Sequence, residues 1–195
     1  MKTLLARITA IALLSLLAIS VCWAQSTQAQ SAWVPPGPDV GAVFPNELNL
    51  QDQSGKSQNL KALMGKKGVA VFFVRSSDWC PFCKRQLADA NSHLAEFKAL
   101  GLNVVSVSHD TVELIAAFHT AQSIGYTMLA DPTGTVVENI GIRNLEYADG
   151  SKAYGVARPI IFIINPQMKI THKYAEESYR NRPDLEKVLA DLRSK

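Results

Sequence analysis

The chain has 195 residues, 47% of them hydrophobic and 19% charged, with a formal net charge of +3. That is enough apolar material for one domain with a real core, and far too little basic excess for an electrostatic footprint on nucleic acid.

Residues 1–24 read as a secretory signal. Lys2 and Arg7 give a positive start, 8–21 is an uncharged apolar run, and Ala24 is a small residue suited to cleavage before Gln25. An uncleaved anchor is the alternative, but the run is short of the ~20 apolar residues that span a bilayer. Cleavage would remove Lys2 and Arg7, taking the net charge from +3 to +1 and leaving 171 residues. Contact with a membrane is then confined to export. The compartment is extracytoplasmic, and periplasmic in a cell with two membranes. Residues 25–39 are polar and then proline-rich, as in a flexible tether. A single domain is expected over 40–195.

Within that domain, strand and helix alternate. The apolar run at 69–74 reads as a buried strand, and 81–99 as a helix with Pro81 in its first turn and Gly101 beyond its end. A strand at 103–108, a helix at 111–123, a short strand at 127–130 and a short helix at 135–140 follow. A strand at 160–164 pairs with 169–174 across the turn at 165–168. Pro183 opens a last helix, with Leu185, Val188, Leu189 and Leu192 along one face. The order predicts an α/β domain: a central mixed β-sheet flanked by helices on both faces.

Trp79-Cys80-Pro81-Phe82-Cys83 stands between the first of these strands and its helix. Cys83, Leu87, Ala90, Leu94 and Phe97 share a helical face, which places Cys83 against the sheet. Cys80 falls at the helix tip, where unpaired N–H groups and the positive dipole end stabilise a thiolate, with Lys84 and Arg85 close in sequence. An exposed thiol of depressed pKa attacks, so Cys80 reads as the nucleophile and Cys83 as the resolving thiol. Plainer readings exist. A purely structural disulfide over so short a loop contributes only about 2 kcal/mol. Zinc usually takes four ligands, whereas His93, His109, His119 and His172 are scattered and no second Cys pair is present. Two buried, inert cysteines are the third.

The stretch 75–84 resembles the alkyl hydroperoxide reductase / thiol-specific antioxidant family, the peroxiredoxin-like branch of the thioredoxin superfamily. So do 104–108, 129–134 and 158–166, in that order and spacing, and the resemblance spans roughly 40–174. It implies a thioredoxin-like fold and an antioxidant oxidoreductase needing no cofactor or metal. Partners would be protein or small-molecule thiols and disulfides, hydroperoxides, and a redox partner supplying electrons. Thioredoxin-type members carry Trp-Cys-x-x-Cys facing a cis-proline, a pattern matched by Trp79, Cys80, Cys83 and Pro159. Trp79 would be a docking platform and a cis Arg158–Pro159 bond would bring backbone to the thiols. Peroxiredoxins carry Pro-x-x-x-Thr-x-x-Cys and an activating arginine. Ser77 matches the hydroxyl, Arg158 would be the cation, and Phe73 stands where the proline belongs.

The leading reading is an exported thiol–disulfide oxidoreductase, with thiol peroxidase second. A Cu(I) carrier is third, since soft copper binds paired thiolates, although carriers of that group use a spacing one residue longer. If the roles are right, Cys80 of the reduced protein alkylates much faster than Cys83 at neutral pH. Equal, sluggish labelling of the two would count against them.

Overall fold

In a computed structural model, residues 33–45 and 47–194 are described; the leader and the first part of the tether lie outside them. The elements, in order, are β1 (Leu50–Asp52), β2 (Ser57–Gln58), a 3-10 turn (Leu60–Leu63), β3 (Gly68–Phe73), α1 (Pro81–Ser92), α2 (Leu94–Ala99) and β4 (Leu102–Ser108). Then come α3 (Val112–Ala121), β5 (Thr127–Ala130), α4 (Thr135–Asn139), β6 (Ile160–Ile164), β7 (Ile170–Ala175) and α5 (Leu185–Arg193). The seven strands form one sheet in the order β2-β1-β5-β4-β3-β6-β7. β3, β4 and β5 run parallel, while β6 is antiparallel to β3 and β7 to β6. The sheet is mixed, as the alternation of elements predicts.

β3 is buried along its whole length, as a central strand covered on both faces must be. Its pleat divides the core in two. Ala70 and Phe72 face the layer of α1, α2, α3 and α5, with Leu87, Phe97, Ile115, Phe118 and Leu189. Val69, Val71 and Phe73 face the layer of α4, with Val136, Val137 and Ile140. Phe72 meets Phe97 edge-on at 6.0 Å. Gly68 enters the strand at φ +132°, and a Cβ there would meet the Ile164 carbonyl oxygen at 2.0 Å, so only glycine fits this approach of β3 to β6.

Three local differences from the predicted elements have physical causes. The helix expected over 81–99 is two, because His93 leaves helical geometry and turns its ring onto the Asp89 carbonyl, with Nδ1 2.9 Å from the oxygen. The last helix begins at Leu185 rather than at Pro183, capped by Asp184, which accepts the Glu186 and Lys187 N–H groups. β1 and β2 were not expected: they are short and polar, and β1 owes its place to pairing with β5. Of the tether, residues 34–38 lie along the domain, where Lys173 Nζ donates to the carbonyls of Pro35 and Gly37.

Candidate active site

The site is built at the ends of β3 and β4, whose parallel pairing delivers the segments after both strands to the same edge of the sheet. Val74 continues the pairing through its N–H to the Val107 carbonyl, and the His109 N–H reaches back to the Arg75 carbonyl. Asp110, buried just beyond β4, then gathers the loop leading to the thiols. Its carboxylate accepts from Ser76 Oγ (2.6 Å), Ser77 N (2.6 Å), Ser77 Oγ (2.8 Å) and Ser108 Oγ (2.7 Å). Ser76 Oγ in turn accepts the N–H groups of Asp78 and Trp79. Every backbone step from 76 to 79 is thereby tied to one carboxylate, and Cys80 arrives at the mouth of α1 in a fixed position.

Cys80 is the N-cap of α1, and its Sγ accepts the Cys83 N–H at 3.1 Å. Sulfur occupies the place that a serine or aspartate oxygen takes in an ordinary cap. Arg75 supplies the second donor: its Nη2 lies 3.3 Å from Cys80 Sγ, and Nη1 donates to the Tyr147 hydroxyl at 2.6 Å. The guanidinium is held by Tyr179, 4.2 Å from the ring centroid, and flanked by Trp79 at 5.3 Å. Only 4% of Arg75 is exposed. A buried cation and a helix-end N–H converging on one sulfur are the conditions that favour its thiolate.

Cys80 and Cys83 are joined as a disulfide, with Cα atoms 5.2 Å apart. A second guanidinium stands on its other half, with Arg182 Nη2 3.5 Å from Cys83 Sγ. Burial, with Arg75 and Arg85 close by, pushes the Arg182 guanidinium down to about 10. Both cysteines are fully buried. The exposed tip expected at Cys80 is therefore absent in this state, because Arg75, under the half-buried Tyr179, and Arg182 stand on the two sulfurs. Tyr179 and Arg182 come from the irregular stretch between β7 and α5, more than 90 residues further along the chain.

The other predicted site residues are placed as follows. Trp79 is beside the thiols and 47% exposed, so a face of it is open to solvent. Ser77 is buried, with its hydroxyl engaged on Asp110. Arg158 pairs with Glu146 at 3.2 Å and donates to the Glu177 carbonyl; the guanidinium at Cys80 belongs to Arg75. Pro159 is buried, and no cis peptide occurs among the described residues. The expected cis Arg158–Pro159 bond is thus trans: the Arg158 N–H bonds the Ile142 carbonyl at 2.7 Å, and the chain runs extended straight into β6. His109 turns Nδ1 to the Asp131 carbonyl. Asp110, Tyr147, Tyr179 and Arg182 were missed. Arg75 lies in the matched stretch 75–84, and its position two residues after β3 puts it in the same loop as Cys80.

Replacing Asp110 by alanine strands four buried donors, so Asp110→Ala should cost about 3 kcal/mol of stability in urea titration and slow the reaction of reduced Cys80. A loss under about 1 kcal/mol, the size of one ordinary hydrogen bond, would show that the loop holds itself.

Comparison with known proteins agrees with this architecture. The AhpC/TSA family model matches residues 40–173. A Mycobacterium tuberculosis relative whose name assigns it provisionally to the peroxiredoxins, Rv2521, is 31% identical over 145 residues, covering 74% of this chain and 89% of that one. Peroxiredoxin Bcp of Escherichia coli is 26% identical over 146 residues, covering 75% and 91%. Among solved structures, peroxidoxin BcpB of M. tuberculosis superposes with a TM-score of 0.65 at 25% identity, covering 83% and 98%. The chain belongs to the AhpC/TSA family: it has the thioredoxin-like fold and is a thiol-dependent peroxidase or oxidoreductase.

Proposed function

We propose that this protein is an exported thiol peroxidase, in which Cys80 attacks a hydroperoxide and Cys83 resolves the product. The observation that carries the reading is the buried Arg75 guanidinium, 3.3 Å from Cys80 Sγ. The names of the relatives support it, since they are peroxiredoxins. The Cys80 thiolate attacks one oxygen of ROOH, the O–O bond breaks, and the alkoxide leaves as ROH after taking a proton; Cys80 becomes a sulfenic acid. The Cys83 thiol then attacks the Cys80 sulfur, water leaves, and the Cys80–Cys83 disulfide forms. Arg75 acts on the first step in two ways. It holds the thiolate, and its charge stabilises negative charge developing on the peroxide oxygens.

The leading reading from sequence, a thioredoxin-type exchange enzyme that docks a substrate chain, fits this geometry less well. Such docking needs an open backbone edge facing the thiols. Here Pro159 is buried in a trans linkage, the Arg158 N–H is taken by Ile142, and both sulfurs are covered. A hydroperoxide is small enough to reach a covered sulfur through side-chain motion alone. Disulfide exchange remains in the cycle as the step that returns the pair to its dithiol form.

Stopped-flow mixing of the dithiol protein with hydrogen peroxide and an alkyl hydroperoxide should show oxidation about a hundredfold faster than a free thiol at the same pH, the worth of one preorganised charge at the reacting atoms. Cys83→Ser should stop at a sulfenic acid trapped by dimedone, and Cys80→Ser should not react. A wild-type rate equal to that of a free thiol would end the peroxidase reading, and sulfenic acid on Cys83 of the Cys80→Ser variant would reverse the roles. For export, N-terminal sequencing of the protein from a secreting host should begin at Gln25; a product that retains Met1 would contradict it.

A further inference from the structure

Arg182, whose Nη2 lies 3.5 Å from Cys83 Sγ, also lines a cavity the peroxide chemistry does not use. It has a volume of about 270 Å³ and is lined by Phe82, Arg85, Gln86, Asp89, Arg180, Arg182 and Pro183. Three guanidiniums face one carboxylate, and that carboxylate, Asp89, lies 3.4 Å from the His93 ring. Arg85 rests on the Phe82 ring at 4.8 Å, and Arg180 on Tyr179 at 5.7 Å. Gln86, one helical turn beyond Cys83, is only 4% exposed, yet neither Nε2 nor Oε1 has a hydrogen-bond partner. An unpaired buried amide costs about 1–3 kcal/mol and calls for an explanation; at a cavity lined by cations it points to a ligand. Arg182 Nε is likewise buried and unpartnered, while its Nη2 touches Cys83 Sγ. Cationic lining, an idle amide and an arginine in contact with one sulfur coincide at this cavity.

We propose that this cavity receives the reductant of the disulfide, a small thiol bearing a carboxylate. The carboxylate is taken by Arg85, Arg180 and Arg182, and Gln86 pairs with the amide or carboxylate edge of the molecule. Moving Arg182 onto that anion draws it off Cys83. The incoming thiolate then attacks Cys83 Sγ, the Cys80–Cys83 bond breaks, and the electron pair leaves on Cys80. This direction of cleavage is favoured because the leaving thiolate falls between Arg75 and the Cys83 N–H. A second thiolate attacks the sulfur of the bound reductant, releasing the small disulfide and the Cys83 thiolate, which takes up a proton. Two thiols are oxidised for each protein disulfide reduced.

The proposal rests on the peroxidase reading only in taking the disulfide as the product to be reduced, and the two are tested separately. The reductive step is measured on the purified disulfide form of the full protein without peroxide, by the appearance of protein thiols. The probes are N-acetylcysteine and its uncharged amide, with rates expressed per thiolate. N-acetylcysteine should be faster by about tenfold, the worth of a charge-assisted contact. The ratio should fall toward one in Arg85→Ala/Arg180→Ala, and in the unaltered protein as salt is raised. Equal rates for the two thiols in the unaltered protein would overturn the proposal. So would an advantage that survives both high salt and the double substitution. A dithiol protein that reduces the disulfide while the two small thiols show no charge discrimination would also overturn it, moving the reductant to another class. Failure of peroxide oxidation in the dithiol protein bears on the peroxidase reading alone.

Discussion

The guanidinium of Arg75 is a buried cation whose neighbours are a phenol, two aromatic faces and a sulfur. None of them carries a negative charge while the disulfide is intact. Taking a cation out of water costs several kcal/mol unless something compensates it, and contact with an aromatic face returns about 1–2 kcal/mol. The missing anion is supplied when the disulfide is reduced and Cys80 ionises. The fold has therefore placed a charge whose natural counterion is the Cys80 thiolate. That asymmetry favours the thiolate over the neutral thiol, and favours breaking the disulfide toward Cys80.

Such an arrangement has to be held rigidly, because a guanidinium free to turn outward would simply hydrate. Rigidity comes from the sheet by way of Asp110. β3 and β4 run parallel, so the chain leaving β3 and the chain leaving β4 emerge side by side, and a carboxylate on the second can bind the serines of the first. A low local dielectric strengthens these bonds and makes each of them costly to lose. The same network explains why Ser77, at the right spacing to help a peroxide, is a structural residue here. Its hydroxyl and its N–H both serve the loop.

The sheet was legible in the sequence because its central strands are long apolar runs, and 127–130 and 160–164 lie where predicted. The helix stripe that put Cys83 against the core was legible for the same reason: Cys83, Leu87, Ala90 and Phe97 are all buried. Periodicity does not report what packs across the sheet edge. β1 and β2 exist through pairing, His93 breaks a helix by a side chain's local bond, and the cover over the two sulfurs draws on Tyr179 and Arg182 from a distant stretch. Arg158, which the resemblance assigns as the activating cation, has Glu146 and the Glu177 carbonyl as partners, and neither is visible to periodicity. Arg75 could have been preferred on one physical ground, that an arginine inside the Cys80 loop has less chain to fix than one from another strand.

Covered sulfurs and reactivity are reconciled once the cover is compared with the core beneath it. The thiols belong to one buried apolar cluster with Val74, Leu87 and Ile161. Over them lie a tyrosine ring and two guanidiniums, and Arg182 is tied to its own stretch by the carbonyls of Tyr179 and Asn181. Polar contacts of this kind exchange readily for water or for an incoming ligand, whereas apolar packing does not. The two halves of the disulfide also have different covers, with Arg75 over Cys80 and Arg182 over Cys83. Arg75 is held by the Tyr147 hydroxyl and by the rings of Trp79 and Tyr179. Arg182 keeps a buried Nε with no hydrogen-bond partner, and in the proposed reductive step it is the cation that leaves. On the proposed cycle, a site with a different cation over each sulfur admits one small reactant to Cys80 and another to Cys83.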